Sequence, residues 1–158
     1  MSTPLTPAIH FLRAKKIAFT EHAYKYEEKG GTATSARELN IAEHIVVKTL
    51  VFKVDGKEPI IVLMHGDREV STKELARQIG VKQIAKCEEA EAQRHTGYMF
   101  GGTSPLGTRK ELPVYIESGI LELPEIYING GKRGFLVKIN PGDFSKAFLF
   151  TPVNVAIT

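Results

Sequence analysis

The 158-residue sequence has a single cysteine, Cys87. That excludes an internal disulfide framework and a cysteine-based zinc site, and makes a reducing, cytoplasmic compartment the simplest expectation. Long hydrophobic runs are missing: Ile60 to Met64 is far too short to cross a bilayer, so no membrane association is expected. Met1 to Leu12 lacks the basic-then-apolar order of a signal peptide, because Pro4, Pro7 and His10 interrupt it. Charge of one sign is scarce as well. The 21 Lys+Arg against 18 Asp+Glu leave a formal net charge of +3, which permits a nucleic-acid partner without announcing one. There is no internal repeat and no low-complexity tract.

Conventional catalytic and cofactor motifs are also missing. His10, His22, His44, His65 and His95 have no metal-ligand spacing, and no metal site is expected. No G-x-S-x-G elbow exists; Ser104 is followed by Pro105. Gly102 and Gly107 have the separation of a P-loop, but Thr108 stands without the phosphate-binding Lys before it, so nucleotide binding is rejected. No helix signal follows Gly130-Gly-Lys-Arg-Gly134, which removes a dinucleotide fingerprint and leaves no expected cofactor. Lys86 beside Cys87 would favour a thiolate, but Glu88, Glu89 and Glu91 oppose it, so a structural cysteine is the expectation.

What the chain does contain is an ordinary globular composition, 42% hydrophobic, over a length that suits one domain spanning residues 1–158. Leu5, Ala8, Ile9 and Leu12 make one helical stripe, and Thr3-Pro4 and Thr6-Pro7 both suit a helix start, so a helix is expected from Pro4 or Pro7 to Lys16. A strand is expected over Ile17 to Tyr26, and a short helix over Thr34 to Leu39. Ile45 to Val54 and Ile60 to Leu63 are apolar on both parities, as in strands covered on both faces, with Asp55-Gly56 as the turn between them. Ser71-x-x-Glu74 is a capping box for a helix that ends at Gly80. A short strand (Val81 to Ala85), a helix (Glu88 to His95) and strands at Val114 to Ile116, Ile126 to Ile128 and Phe135 to Ile139 follow. The last two strands should pair antiparallel, and Pro141 to Phe148 should be helical. Hairpins outnumber βαβ units, which points to a single α+β domain with a mixed, mostly antiparallel sheet.

Three features carry chemistry. Lys48 shares a strand face with Val46, Leu50, Phe52 and Val54, where an ammonium is costly unless it meets an anion or a pocket mouth. Thr96 to Gly107 is glycine-rich, and Gly101 and Gly102 can direct successive N–H groups into a cavity. Gly130 to Gly134 is a tight turn whose Lys132 and Arg133 suit a phosphate backbone. Together they describe a pocket for a small carbonyl compound attached to a phosphodiester.

Lys48-Thr-Leu, Thr96-Gly-Tyr…Gly101-Gly-Thr-Ser-Pro-Leu-Gly107 and Gly130-Gly-Lys-Arg-Gly134 resemble, in order and spacing, the YbaK/EbsC family of tRNA-editing proteins, over about Thr6 to Phe148. The family includes the editing domain of bacterial prolyl-tRNA synthetases. The resemblance implies a sheet curled into a partial barrel with flanking helices. It also implies removal of a wrongly attached amino acid from tRNA in trans, foremost cysteine from Cys-tRNA(Pro), whose own thiol would attack its ester. Hydrolysis of Ala-tRNA(Pro) or another small aminoacyl-tRNA, or a non-catalytic module binding tRNA or a synthetase, stay open beside it. The implied partners are the aminoacylated 3′ end of tRNA and prolyl-tRNA synthetase. Carried over by position, Lys48 would hold a phosphate, and Gly101 and Gly102 the ester carbonyl. Tyr24, Thr49, Thr103, Ser104, Pro105, Asn129, Gly130, Lys132 and Arg133 would bind substrate. Gly30-Gly31 stands where relatives carry an aromatic, and Asn129 where they carry Ser. The tail from Leu149 to Thr158 is outside the match; its Phe150, Val153, Val155 and Ile157 are expected to cover an edge or a partner.

Overall fold

The computed structural model describes residues 4–158, so Thr3 of the Thr3-Pro4 pair lies outside them. The first helix, α1 (Pro7–Ala14), starts at the second of the two candidate positions. Thr6 is its cap: the hydroxyl accepts from Ile9 N at 3.2 Å and donates to the carbonyl of Gly130, tying the helix start to a distant turn. Ala8, Ile9 and Leu12 are fully buried, as their spacing predicts.

The chain continues through β1 (Thr20–Ala23), α2 (Gly31–Leu39), a 3-10 turn at Glu43–Ile45, β2 (Val46–Val54), β3 (Glu58–His65), β4 (Glu69–Val70), α3 (Thr72–Ile79), β5 (Ile84–Lys86) and α4 (Glu89–Thr96). Then come β6 (Val114–Glu117), α5 (Ser118–Leu121), β7 (Ile126–Lys132), β8 (Phe135–Ile139), a 3-10 turn at Pro141–Asp143, α6 (Phe144–Ala147), β9 (Thr151–Val153) and β10 (Ala156–Ile157). No described helix is long and apolar enough to cross a membrane. The β2–β3 turn has Asp55 and Gly56 both at positive φ, the handedness that a tight hairpin demands. Ser71 caps α3 by accepting from Glu74 N, and Gly80 ends it at φ +76°. β1 is shorter than the expected Ile17 to Tyr26, because its partner β8 starts at Phe135. Beyond Tyr24, which still donates to the Gly134 carbonyl, the ladder has nothing left to pair with.

The main sheet has the order β1-β8-β7-β2-β3-β6-β9, with β5 also on β2. It is a mixed α+β sheet and it is open: β1 and β9 are its edges. The tail covers an edge of the molecule's own sheet. β9 pairs parallel with β6, and β10 pairs antiparallel with β4.

Two features of this sheet create the site. First, β3 fills one side of β2 along nearly its whole length, so β7 and β5 must share the other. β7 pairs only with Val46 and Val47, and β5 only with Phe52 to Val54, leaving an opening beside Lys48, Thr49 and Leu50. Second, the two faces are packed differently. On one face a continuous core joins Val47, Ile61, Leu63, Ile116, Ile128 and Val137 to α1, Tyr98, Leu106 and Phe144. On the other, apolar packing is split. Phe52, Ile60, Val62 and Met64 meet Leu75 and Ala76 of α3, whereas Val46, Tyr127 and Leu136 meet Ala36 of α2. Lys48 belongs to neither cluster and stands between them. The lysine on an apolar strand face is therefore not forced into a core.

Candidate active site

A cavity of about 500 Å³ fills the space between those clusters. Its floor is β2 from Val46 to Phe52; its walls come from Tyr24 and Tyr26 after β1, Thr32 and Ser35 of α2, Cys87 and Ala92, the loop around Gly101, and Asn129 and Arg133. Lys29, Lys48, Lys86 and Arg133 bring four cations to it, against the carboxylates of Glu28 and Glu89. The site is thus electropositive although the whole chain is nearly balanced.

Lys48 is 18% exposed at its side chain. Its ammonium donates to the carbonyl of Arg68 and lies 3.4 Å from the Glu69 carboxylate, both at β4. Glu69 is itself 69% exposed, so its hold on the ammonium is a screened contact that an arriving anion can replace.

Thr49 lies on the opening in the sheet. Among the described residues its hydroxyl is the one buried side-chain polar atom without a partner. Val51, two residues on, accepts from Cys87 N on the β5 side of the strand. By the alternation of a strand, the N–H and C=O of Thr49 face that side too, where no strand pairs with them. A bare stretch of main chain therefore opens on the cavity, with a sealed, unpartnered hydroxyl beside it.

Gly101 faces the cavity with φ +85°, and its N–H has no protein acceptor among the described residues. A Cβ there would stand 2.7 Å from the Tyr26 hydroxyl and 3.2 Å from Arg133 Nε. A β-branched replacement would thus bring backbone strain as well as blocked approach, whatever the substrate. Asn129 organises this region from behind. Its Oδ1 accepts from Gly131 N (2.7 Å) and Lys132 N (3.1 Å), while Nδ2 donates to the Gly101 carbonyl at 3.0 Å. Arg133 Nε donates to the Phe100 carbonyl at 2.8 Å, a second tie between the turn and the loop.

The remaining sequence candidates divide. Tyr24 and Thr103 line the cavity with Lys48, Thr49, Gly101, Asn129 and Arg133. Gly102 does not present a free amide: its N–H is bonded to the Met99 carbonyl at 2.9 Å, and it packs against the Lys132–Arg133 backbone, where a Cβ would come within 3.1 Å. Of the expected pair of amides, that of Gly102 is therefore already engaged within the protein. Ser104 is fully buried, with its hydroxyl accepting from Leu106 N. Pro105 faces a separate hollow near Phe11 and Leu112. Gly130 is buried in a bulge between Asn129 and Lys132, where a Cβ would meet the Phe135 ring at 2.6 Å. These three shape the loops and do not reach the cavity. Lys132 is exposed beside it without lining it.

Sequence reasoning missed Tyr26, Phe100, Thr32 and Ser35, which also line the cavity. Tyr26 and Phe100 are two residues from Tyr24 and one from Gly101, so proximity to those residues was the available signal. Gly31, at φ +60° with no atom within 4 Å of an added Cβ, leaves open space at one wall. Cys87 is half-buried at the cavity, and burial, with Glu91 nearby, pushes its thiol pKa up. No histidine lines the cavity.

The family model of the aminoacyl-tRNA editing domain matches residues 27–147 of this chain. A relative from Enterococcus faecalis (strain ATCC 700802 / V583), named "Putative Cys-tRNA(Pro)/Cys-tRNA(Cys) deacylase EbsC", is 28% identical over 137 residues, covering 86% of this chain and 84% of the relative. The proline–tRNA ligase of Streptococcus equi subsp. equi (strain 4047) is 29% identical over 112 residues, which is 70% of this chain but 18% of the ligase. A solved structure described as "a putative trans-editing enzyme for prolyl tRNA synthetase" has a TM-score of 0.83 at 18% identity, over 99% of this chain and 100% of that one, a likeness of fold.

Proposed function

This chain belongs to the aminoacyl-tRNA editing domain family, and on that premise we propose that it clears cysteine from Cys-tRNA(Pro) in trans, using the substrate's own thiol. One observation carries the reading. The cavity offers cations and an unpaired amide to an ester, but no side chain prepared to attack it. Its hydroxyls on Thr32, Ser35, Thr49 and Thr103 share the lining with no histidine, that of Thr32 is taken up by the Glu43 carboxylate and the Gly66 carbonyl, and burial favours the protonated form of the Cys87 thiol.

In the proposed reaction the cysteinyl thiol loses its proton and the sulfur bonds to the ester carbonyl carbon. The carbonyl oxygen takes the negative charge and accepts from Gly101 N–H. Collapse breaks the bond from carbon to the ribose oxygen, which takes up a proton. The products are a cyclic thiolactone and tRNA with its hydroxyl restored. Lys48 holds the phosphate near the 3′ end in place of Glu69, and Arg133 and Lys132 meet the backbone that follows. Tyr24, Thr49 and Thr103 surround the aminoacyl group. Asn129 and Arg133, through the carbonyls of Gly101 and Phe100, keep the two peptides around Gly101 in register for the place where charge develops. The likeness to a segment of a proline–tRNA ligase supports prolyl-tRNA synthetase as partner and the cytoplasm as the place of work.

Hydrolysis by an oriented water is the second reading, favoured by Glu28 and Glu89, the two carboxylates on the cavity lining that could orient or deprotonate it. The two are separated by single-turnover deacylation of Cys-, Ser- and Ala-charged tRNA(Pro). Serine keeps the shape of cysteine but is barely ionised at neutral pH, whereas a thiol is ionised to a few per cent. Thiol attack requires cysteine to react far faster than the other two. Equal rates would identify water as the nucleophile and overturn the thiolactone route.

A further inference from the structure

Met99 and Phe100 are two consecutive large apolar side chains, 57% and 54% exposed, immediately before Gly101. Neither is needed by the core or by the chemistry proposed above. Phe100 stands on the rim of the cavity with Tyr26 and Arg133. The Arg133 guanidinium lies 5.3 Å from the centre of the Tyr26 ring, and its Nε is fixed by the Phe100 carbonyl at 2.8 Å. Gly101 is what lets them gather, since any Cβ there would strike the Tyr26 hydroxyl. The Tyr26 ring and the Arg133 guanidinium thus sit together at the mouth, and the main chain of Phe100, whose exposed ring completes the set, is tied to them through Arg133. Exposed Lys29 and Lys132 stand nearby, with Glu28 as the opposing charge.

We propose that Phe100, with Tyr26 and Arg133, forms a stacking platform for the unpaired terminal nucleotides of an RNA 3′ end. The inference rests on the editing reading: an ester carbonyl at Gly101 leaves its nucleoside at the mouth, where the next residue back is Phe100. A base has two apolar faces and a phosphate attached. It matches a surface that pairs exposed rings with arginine and lysine, and such stacking does not depend on base identity. Purely apolar contact with a protein partner would leave the orientation of Arg133 without purpose.

The test uses the intact protein and an uncharged tRNA acceptor minihelix whose terminal adenine is replaced by 2-aminopurine, which loses fluorescence when stacked. Wild type should quench the probe on binding. Phe100→Ala and Phe100→Leu should each remove most of the quench and weaken binding about tenfold, Leu because it restores apolar bulk without a π-face, while Phe100→Tyr should behave as wild type. Circular dichroism confirms folding, which an exposed position should not disturb. No quench by wild type, or full quench by Phe100→Leu, overturns the platform. So does a Phe100 variant that loses prolyl-tRNA synthetase binding while keeping the quench, which would make the patch a protein-docking surface. Deacylation is measured in parallel. Normal quench without release of any amino acid would refute the editing reading and leave the platform standing; release without quench would do the reverse.

Discussion

The Asn129 side chain bonds the Gly101 carbonyl at 3.0 Å while accepting from two amides of its own turn, Gly131 and Lys132. One amide group therefore sets the distance between the basic turn and the glycine loop, and it holds the peptide that follows Gly101, as Arg133 holds the one before it through the Phe100 carbonyl.

Asn129→Asp tests this. It keeps both acceptor roles but replaces the donor to Gly101 with a carboxylate oxygen facing a carbonyl. A neutral hydrogen bond is worth roughly 0.5–1.5 kcal/mol, and repulsion adds to its loss, so deacylation should slow about tenfold. Single-turnover rates at saturating protein should fall while affinity for uncharged minihelix stays the same. An equal loss in binding would show that Asn129 acts by contact.

Lys48→Ala should lower kcat/KM about tenfold to a hundredfold, the range for a charge-assisted contact of roughly 1.5–3 kcal/mol. Glu69→Gln should do the opposite at low salt. The carboxylate, 3.4 Å from the ammonium, competes with a phosphate for it, and its removal frees the lysine. Rates measured across ionic strength should converge as salt screens the competition. A slower Glu69→Gln variant would mean that the acid orients Lys48.

Cys87→Ser should retain full activity. Burial and Glu91 push the thiol pKa up, so little thiolate exists at neutral pH, and slow alkylation by iodoacetamide in the native protein should confirm it. Loss of activity in the serine variant would restore a protein nucleophile.

Stability should fall on mild acidification because of His65. The ring is 4% exposed and stacked on His44 at 3.8 Å, with Asp67 and Glu117 as the nearby acids. Its Nδ1–H donates to the His44 carbonyl, and Nε2 faces Gly119, where an added Cβ would be only 2.7 Å away. Burial lowers its pKa in the folded chain, so the unfolded chain binds the proton first. Stability is then full above the unfolded value of about 6.5 and is lost as pH drops below it. Thermal melts from pH 8 to 5 should show the decline, and His65→Asn, which has no titrating ring, should flatten it.

The periodic features were the legible ones. Ala8, Ile9 and Leu12 face the core, Ser71 and Gly80 bound a helix, and Phe135 to Ile139 forms the expected strand opposite Ile126 to Ile128. Lys48 was legible as an anomaly, because its four face-mates are apolar. What explains it was not: the split packing on that face arises from α2 and α3 landing on opposite ends of β2, a long-range arrangement without local signature. Gly102 and Gly101 look alike in sequence, and the bond to Met99, the positive φ of Gly101 and the packing of Gly102 on the Lys132–Arg133 backbone separate them only in the fold. Short elements such as β4, β9 and β10 escaped because two or three residues carry no period; they exist by pairing with strands already in place.

Those late pairings give the carboxyl-terminal residues a mechanical role. Ala156 and Ile157 hold Val70 and Glu69 in β4, the Val155 carbonyl takes the Ser71 amide, and the Arg68 carbonyl just before β4 anchors the Lys48 ammonium. The lysine thus hangs from a bracket whose outer fastening is the tail. Deleting the last four residues removes no group that meets substrate, yet it should let the bracket swing. A bulky reporter fused after Thr158 would load the same fastening, so a dim or inactive fusion would report on leverage at the tail and not on the chemistry of the cavity.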